Sequence, residues 1–224
     1  MEYSVKELNQ MLLNFHQKQN FNYNDFYVSK SNYFAFKLIE KWPNWEKNIL
    51  NIFGEKFSGK THLAEIFESK YKAARIQEKD LNNNVFKSLK LHENIILDNF
   101  ENNSDEKILY SLFNLVDQDN KYLIITSKTP LIEMQFLLND LASRAKNCLL
   151  AEIAKPDDEL IFALILKNLS DRQISLDKKL INYIIKRIKR SYSKIFDFIY
   201  KIDEISLKKK KSIDLKLIKD VLGE

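Results

Sequence analysis

The run Ile49-Leu-Asn-Ile-Phe-Gly-Glu-Lys-Phe-Ser-Gly-Lys-Thr-His-Leu63 decides how the rest of the chain is read. Ile49, Leu50, Ile52 and Phe53 form an apolar strand pattern that runs into Gly54. Residues Gly54–Thr61 then fit G-x-x-x-x-G-K-[ST], a phosphate-binding loop. A turn wrapped around a polyphosphate needs backbone N–H groups pointing inward, and glycine takes the required dihedrals and permits close approach. Lys60 supplies a point charge for the β- and γ-phosphates, and the Thr61 hydroxyl is suited to Mg²⁺. A helix beginning near Lys60, with Leu63, Ile66 and Phe67 as apolar positions, would aim its positive end at the anion. The chain has only three glycines, and Gly54 and Gly59 are two of them.

Outward from this loop, strand and helix patterns alternate. Strands are expected at 49–53, 73–77, 94–98, 122–127 and 149–153. Helices are expected at 32–41 behind a Ser31 cap with Phe34, Leu38 and Ile39 on one face, at 60–71, from about 80 to 91, at 104–118 and near 131–138. Such alternation predicts a five-stranded parallel sheet covered on both faces. From Pro156 the pattern changes. Amphipathic segments at 157–168, 177–190, 192–207 and 214–222, all but the third opening on Asp, predict a small all-α unit. The resulting division is an N-terminal tail at 1–20, a nucleotide-binding base at 21–155 and a helical lid at 156–224.

Composition sets the broad class. At 224 residues and 45% hydrophobic, with 15 Phe and 10 Tyr, the chain can bury a real core. The charged start lacks a signal-peptide pattern and no apolar run is long enough for a membrane span, so a cytoplasmic protein without membrane attachment is expected. The single cysteine, Cys148, allows no internal disulfide and reads as a core residue. Residues 1–156 hold 20 Lys+Arg and 20 Asp+Glu, and residues 157–224 hold 16 and 11, so the net +5 lies in the last third. That asymmetry fits nucleic acid, an acidic partner, or simply solvated helix faces.

Other positions carry chemistry. Asn94-Ile-Ile-Leu-Asp98 ends a strand in a carboxylate, the place from which phosphate-loop enzymes hold Mg²⁺. Asn99 follows, and an amide cannot act as a general base. Weak hydrolysis is expected, or hydrolysis through another group such as Glu101. Ser127, closing Thr126-Ser127-Lys128, could position a water or merely cap the strand. Arg144, in Asp140-Leu-Ala-Ser-Arg144, reads by residue chemistry first as a surface ion-pairing residue. Its place just before a strand also suits it to reach a neighbour's γ-phosphate.

Together these motifs resemble the DnaA initiator group of AAA+ ATPases, in family order over about residues 24–222. Within that group the chain most resembles the Hda-type regulatory inactivators. It stops after the lid, with no room for a helix-turn-helix domain. It reads Asp98-Asn99 where initiators usually carry two acids. Gln10-Met-Leu-Leu-Asn-Phe15 looks like a sliding-clamp-binding peptide.

The resemblance implies a P-loop AAA+ αβα sandwich with a lid, holding ADP or ATP with Mg²⁺. Nucleotide contacts would come from Val28, Gly54, Ser58, Gly59, Lys60, Thr61 and His62. Lys194 would stand where a sensor arginine is usual, without its fork geometry. Thr61 and Asp98 would hold the metal, Ser127 would serve hydrolysis, and Arg144 would act in trans as an arginine finger. Gln10, Leu13 and Phe15 would bind the DNA polymerase III sliding clamp, and DNA only through it. The partner would be the DnaA initiator, with a homodimer allowed. The rival readings are an autonomous helicase loader and a DNA-binding replication factor.

Overall fold

The computed structural model describes residues 26–172, 174, 176–209 and 213–223. Five strands form one parallel sheet: β1 Ile49–Gly54, β2 Ala74–Gln77, β3 Asn94–Phe100, β4 Tyr122–Ser127 and β5 Leu149–Ile153, in the order β2-β3-β4-β1-β5. Around it lie α1 Tyr33–Lys41, α2 Lys60–Tyr71, the one-turn α3 Phe86–Leu89, α4 Glu106–Gln118 and α5 Asn139–Lys146. The lid follows as α6 Asp158–Ser170, α7 Lys178–Ile185, α8 Tyr192–Lys209 and α9 Leu215–Leu222.

Side chains alternate across a strand, so a parallel sheet with helices on both faces needs apolar residues in both phases. Ile95, Leu97, Leu123 and Ile125 pack on one face with Leu109, Leu112, Phe113 and Val116 of α4 and with Leu141 of α5. Ile96, Ile124, Leu50 and Ile52 pack on the other face with Phe36 and Ile39 of α1 and with Leu63, Ile66 and Phe67 of α2. The lid has its own core of Ile161, Ile165, Ile184, Ile195, Phe198, Ile202 and neighbours. Leu160 and Tyr192 of the lid belong instead to the base's second core, and the Tyr192 hydroxyl donates to Ala154 O at 3.0 Å.

The Asp signals cap helices as expected: Asp157, Asp177 and Asp214 accept from the N–H groups of Leu160, Lys179 and Leu217. Asp105 caps α4, accepting from Lys107 N.

Several expectations change, and the helix expected from about 80 to 91 is only the single turn Phe86–Leu89. Ser31 does not cap α1. Its hydroxyl is exchanged with Asp157, donating to Oδ2 at 3.2 Å and accepting the Asp157 N–H at 3.0 Å. Phe34 faces solvent while Ala35, Phe36 and Ile39 are buried, a rotation of the expected face. The segment 131–138 forms only a short 3₁₀ turn at Leu131–Glu133, and the helix comes later, at α5. The cause is tertiary: the Glu106 carboxylate accepts the N–H groups of Leu137 and Leu138, both at 2.8 Å, and starts α5 there. The helix expected at 177–190 likewise ends at Ile185, where the chain turns so that Ile188 enters the lid core.

No helix among the described residues is long and apolar enough to cross a membrane.

Candidate functional site

The loop between β1 and α2 opens into a cleft of about 400 Å³ between base and lid. Phe26, Tyr27, Asn32, residues 56–62 and Asn99 line it from the base, and Leu160, Leu164, Lys167, Tyr192 and Phe196 line it from the lid. Both loop glycines are required by geometry. A Cβ on Gly54 would stand 2.6 Å from Ile153 O of the neighbouring strand, and Gly59 has φ +98° with Phe26 only 3.2 Å from where its Cβ would be.

Lys60 is buried and curls onto its own loop, donating to Gly54 O at 2.9 Å and Glu55 O at 2.8 Å. Burial lowers its pKa, against the opposing pull of Asp98 and Glu55. The Ser58 hydroxyl is buried and has no hydrogen-bond partner among the described residues. A buried ammonium and an unpartnered donor at the mouth of a helix N-terminus are the chemistry of an anion cradle. These residues fit a nucleotide's phosphates. His62 packs edge-on to Phe26, with centroids 5.1 Å apart, at the apolar side of the cleft.

Phe57, within the loop, takes φ +68° and reaches Phe196 of α8, with ring centroids 5.3 Å apart. Glu55 makes the firmer bridge. Its carboxylate accepts the Tyr192 N–H at 3.1 Å and the Ser193 hydroxyl at 3.1 Å, and also binds the Ser191 hydroxyl. Burial would raise the pKa of Glu55, but these hydrogen bonds outweigh it and hold the carboxyl below its ordinary range. The phosphate loop is thus tied directly to the first turn of a lid helix, where a carboxylate also meets the helix dipole.

At the end of β3, Thr61 Oγ1 lies 3.5 Å from both oxygens of Asp98. The carboxylate is fully buried and already held: the Arg75 guanidinium pairs with Oδ2, and the Thr126 hydroxyl donates to Oδ1. Arg75 also reaches Glu65 at 3.0 Å and Glu68 at 3.5 Å on α2. As they stand, Thr61 and Asp98 do not fit a divalent ion, because a cation of the chain occupies the carboxylate. Among the described residues no group of three or more His, Cys, Asp or Glu side chains converges as a metal site.

Asn99 has φ +56° beside a register shift between Leu97 and Phe100, a left-handed conformation that asparagine tolerates. Its N–H donates to Thr126 Oγ1 at 2.9 Å. Glu101 is exposed and does not line the cleft.

Several residues fall elsewhere than expected. Ser127 is committed to structure, donating to Thr129 O at 2.6 Å and accepting from Asn51 Nδ2 at 2.9 Å. Thr126 is the hydroxyl that meets Asp98. Val28 does not line the cleft, although Phe26 and Tyr27 do. Lys194 lies on the outer side of α8, paired with Asp197 at 3.4 Å, in a separate depression with Arg187, Lys189 and Lys201. Arg144 stands at the strand-start end of the sheet, beside Glu46, Asn48 and Ile49, far from the loop that follows β1. Its guanidinium pairs with Asp117 and sits over the Tyr110 ring at 5.5 Å. Gln10, Leu13 and Phe15 lie outside the described residues.

Sequence reasoning missed Arg75 and Glu55. A charged residue inside a four-residue strand was the available signal for Arg75, but only the pairing of β2 with β3 puts it beside Asp98.

The strand order, the phosphate loop and the helical lid define a P-loop AAA+ protein. Residues 157–222 match the family described as "Hda, lid domain". The chain is 27% identical to the chromosomal replication initiator protein DnaA of Flavobacterium psychrophilum, over 91% of this chain and 48% of that one. It therefore spans about half the length of such curated relatives. Domain III of Thermotoga maritima DnaA superposes with a TM-score of 0.73 at 19% identity, covering 92% of this chain and 96% of that one. AMPPCP-bound DnaA from Aquifex aeolicus gives 0.65 at 21% identity, over 83% and 68%. Along most of its length the chain is thus similar to DnaA, and its lid matches the Hda lid family.

Proposed function

We propose that this protein regulates replication initiation, holding an adenine nucleotide in its own cleft and promoting ATP hydrolysis on a DnaA-type initiator through Arg144 in trans. The base would span 21–155 and the lid 156–224, with residues 1–20 as an arm that docks Gln10, Leu13 and Phe15 on a sliding clamp. DNA would be met through that clamp, in the cytoplasm.

The observation that carries this reading is the separation of Arg144 from the chain's own cleft. A guanidinium beside the start of β1 is remote from phosphates at its end, and in trans it would exchange Asp117 for a partner's phosphate. An arginine supplied in trans accelerates phosphoryl transfer by neutralising transition-state charge. Asn99 supports the complementary half: the chain's own site lacks a carboxylate base at that position. In the cleft, Lys60, Ser58 and the loop N–H groups would hold phosphates, and Phe26, Leu160 and Leu164 would cover the base. The nucleotide then fixes loop against lid; it is not turned over rapidly.

The test is hydrolysis of initiator-bound ATP with clamp-loaded DNA, comparing wild type with Arg144→Ala and with Leu13→Ala/Phe15→Ala. Both variants should be slower. Equal rates for all three would remove both assignments, and rapid ATP turnover by the purified chain alone would favour a loader.

One observation favours a second reading, a DNA-binding factor. Arg187, Lys189, Lys194 and Lys201 surround a depression of about 300 Å³ on the lid. In that case their neutralisation should abolish DNA affinity, and binding should fall steeply with salt.

A further inference from the structure

Asp98 lies fully buried near the end of β3, and a buried carboxylate needs a compensating cation. In P-loop proteins a divalent ion beside the phosphates commonly supplies that charge. Here Arg75 does so from the neighbouring strand. One arm of its guanidinium binds Asp98 Oδ2, and the other reaches Glu65 at 3.0 Å and Glu68 at 3.5 Å. The two glutamates lie at the protein surface and fix the fork from behind. Thr126 donates to the remaining oxygen. Both oxygens of the carboxylate thus have a strong donor, and a divalent ion approaching from the phosphate side would meet a fixed positive charge across the width of one carboxylate. Lys60 lies on the loop side, where it can neutralise phosphates directly.

We propose that Arg75 replaces the divalent ion at Asp98, so that the loop holds a nucleoside diphosphate without help from Mg²⁺. The inference rests on the nucleotide reading of the cleft. It concerns how the phosphates are balanced, and no hydrolytic step passes through it.

The experiment is calorimetric titration of the full chain with ADP, in excess Mg²⁺ and in EDTA, for wild type and Arg75→Gln. Wild-type affinity should differ less than about threefold between the two conditions, and Arg75→Gln should gain a Mg²⁺ dependence of about tenfold or more. A wild-type protein that binds ADP about tenfold more tightly with Mg²⁺ overturns the proposal. Absence of ADP binding in both conditions overturns the nucleotide reading, and the proposal with it. Should Arg75→Gln fail to fold, electron paramagnetic resonance of Mn²⁺ titrated into the wild-type ADP complex decides the matter. Mn²⁺ affinity equal to that of free ADP is expected, and tighter binding refutes the assignment.

Discussion

The carboxylate of Glu55, the second residue of the phosphate loop, accepts the backbone N–H of Tyr192, the first residue of lid helix α8, at 3.1 Å. Ser191 and Ser193 add their hydroxyls to the same carboxylate. Lid orientation is therefore read at the loop itself, while Lys194, two residues beyond Tyr192, points elsewhere. Any rearrangement of the loop around phosphate must move or release the start of α8.

This latch should depend on pH. Glu55 and Asp157, which joins Ser31 to the lid, have folded pKa values below their ordinary 4.5 and 3.8. For such groups stability is fully present above the unfolded pKa and is lost as pH falls through the folded one. Thermal stability should be level from about pH 7 to 5 and fall below about 4.5. Glu55→Gln should start lower and show a shallower acid decline in melts followed by circular dichroism. Parallel declines would remove Glu55 from the latch.

Gly54→Ala should be the most damaging single methyl in the loop. Its Cβ would meet the carbonyl of Ile153, a backbone atom of β5 that cannot rotate away. A loss of about 1–3 kcal/mol in urea unfolding is expected. Gly59→Ala should cost about 1–2 kcal/mol through the left-handed backbone alone, with nucleotide binding reduced more than stability.

Asp98→Asn should destabilise the fold through Arg75. The guanidinium would lose its one fully buried anion and keep only Glu65 and Glu68, which are 30% and 39% exposed. A loss of about 2–3 kcal/mol is expected by denaturant titration. Glu68→Gln should change stability by less than about 1 kcal/mol.

Asn51→Leu should loosen the segment after β4. The Asn51 amide donates to Ile125 O and Ser127 Oγ and accepts the Leu131 N–H at 2.9 Å, all in the core. Leucine conserves volume but leaves those groups unpaired, at a cost of about 1–3 kcal/mol. Hydrogen exchange of the Leu131 amide should accelerate accordingly.

Arg144→Ala separates structure from function. Its pair with Asp117 is half-exposed, so stability should fall by less than about 1 kcal/mol. Loss of a trans-acting arginine should lower the partner's hydrolysis by about 10³-fold or more. A large stability loss with an unchanged partner rate would make Arg144 a structural residue.

The sheet was legible because each strand is a short apolar run bounded by polar residues, and the lid because its Asp caps and 3.6-residue periodicity are local signals. The loop was legible because phosphate binding restricts residue type at fixed spacing. Where expectations failed, a distant side chain had overridden a local preference. Glu106 moved the helix after Pro130, Asp157 took the Ser31 hydroxyl, and Asn51 took Ser127.

By itself, then, the sequence determined a five-stranded parallel base, a helical lid and an anion cradle at Gly54–Thr61, since periodicity, capping and loop chemistry act between near neighbours. Only the tertiary structure decided what surrounds that cradle. The pairing of β2 with β3 brings Arg75 to Asp98, and the docking of the lid brings Glu55 to Tyr192, 137 residues away. Ion pairs and hydrogen bonds form between groups that folding places within reach, and no local pattern in the chain marks such partners in advance.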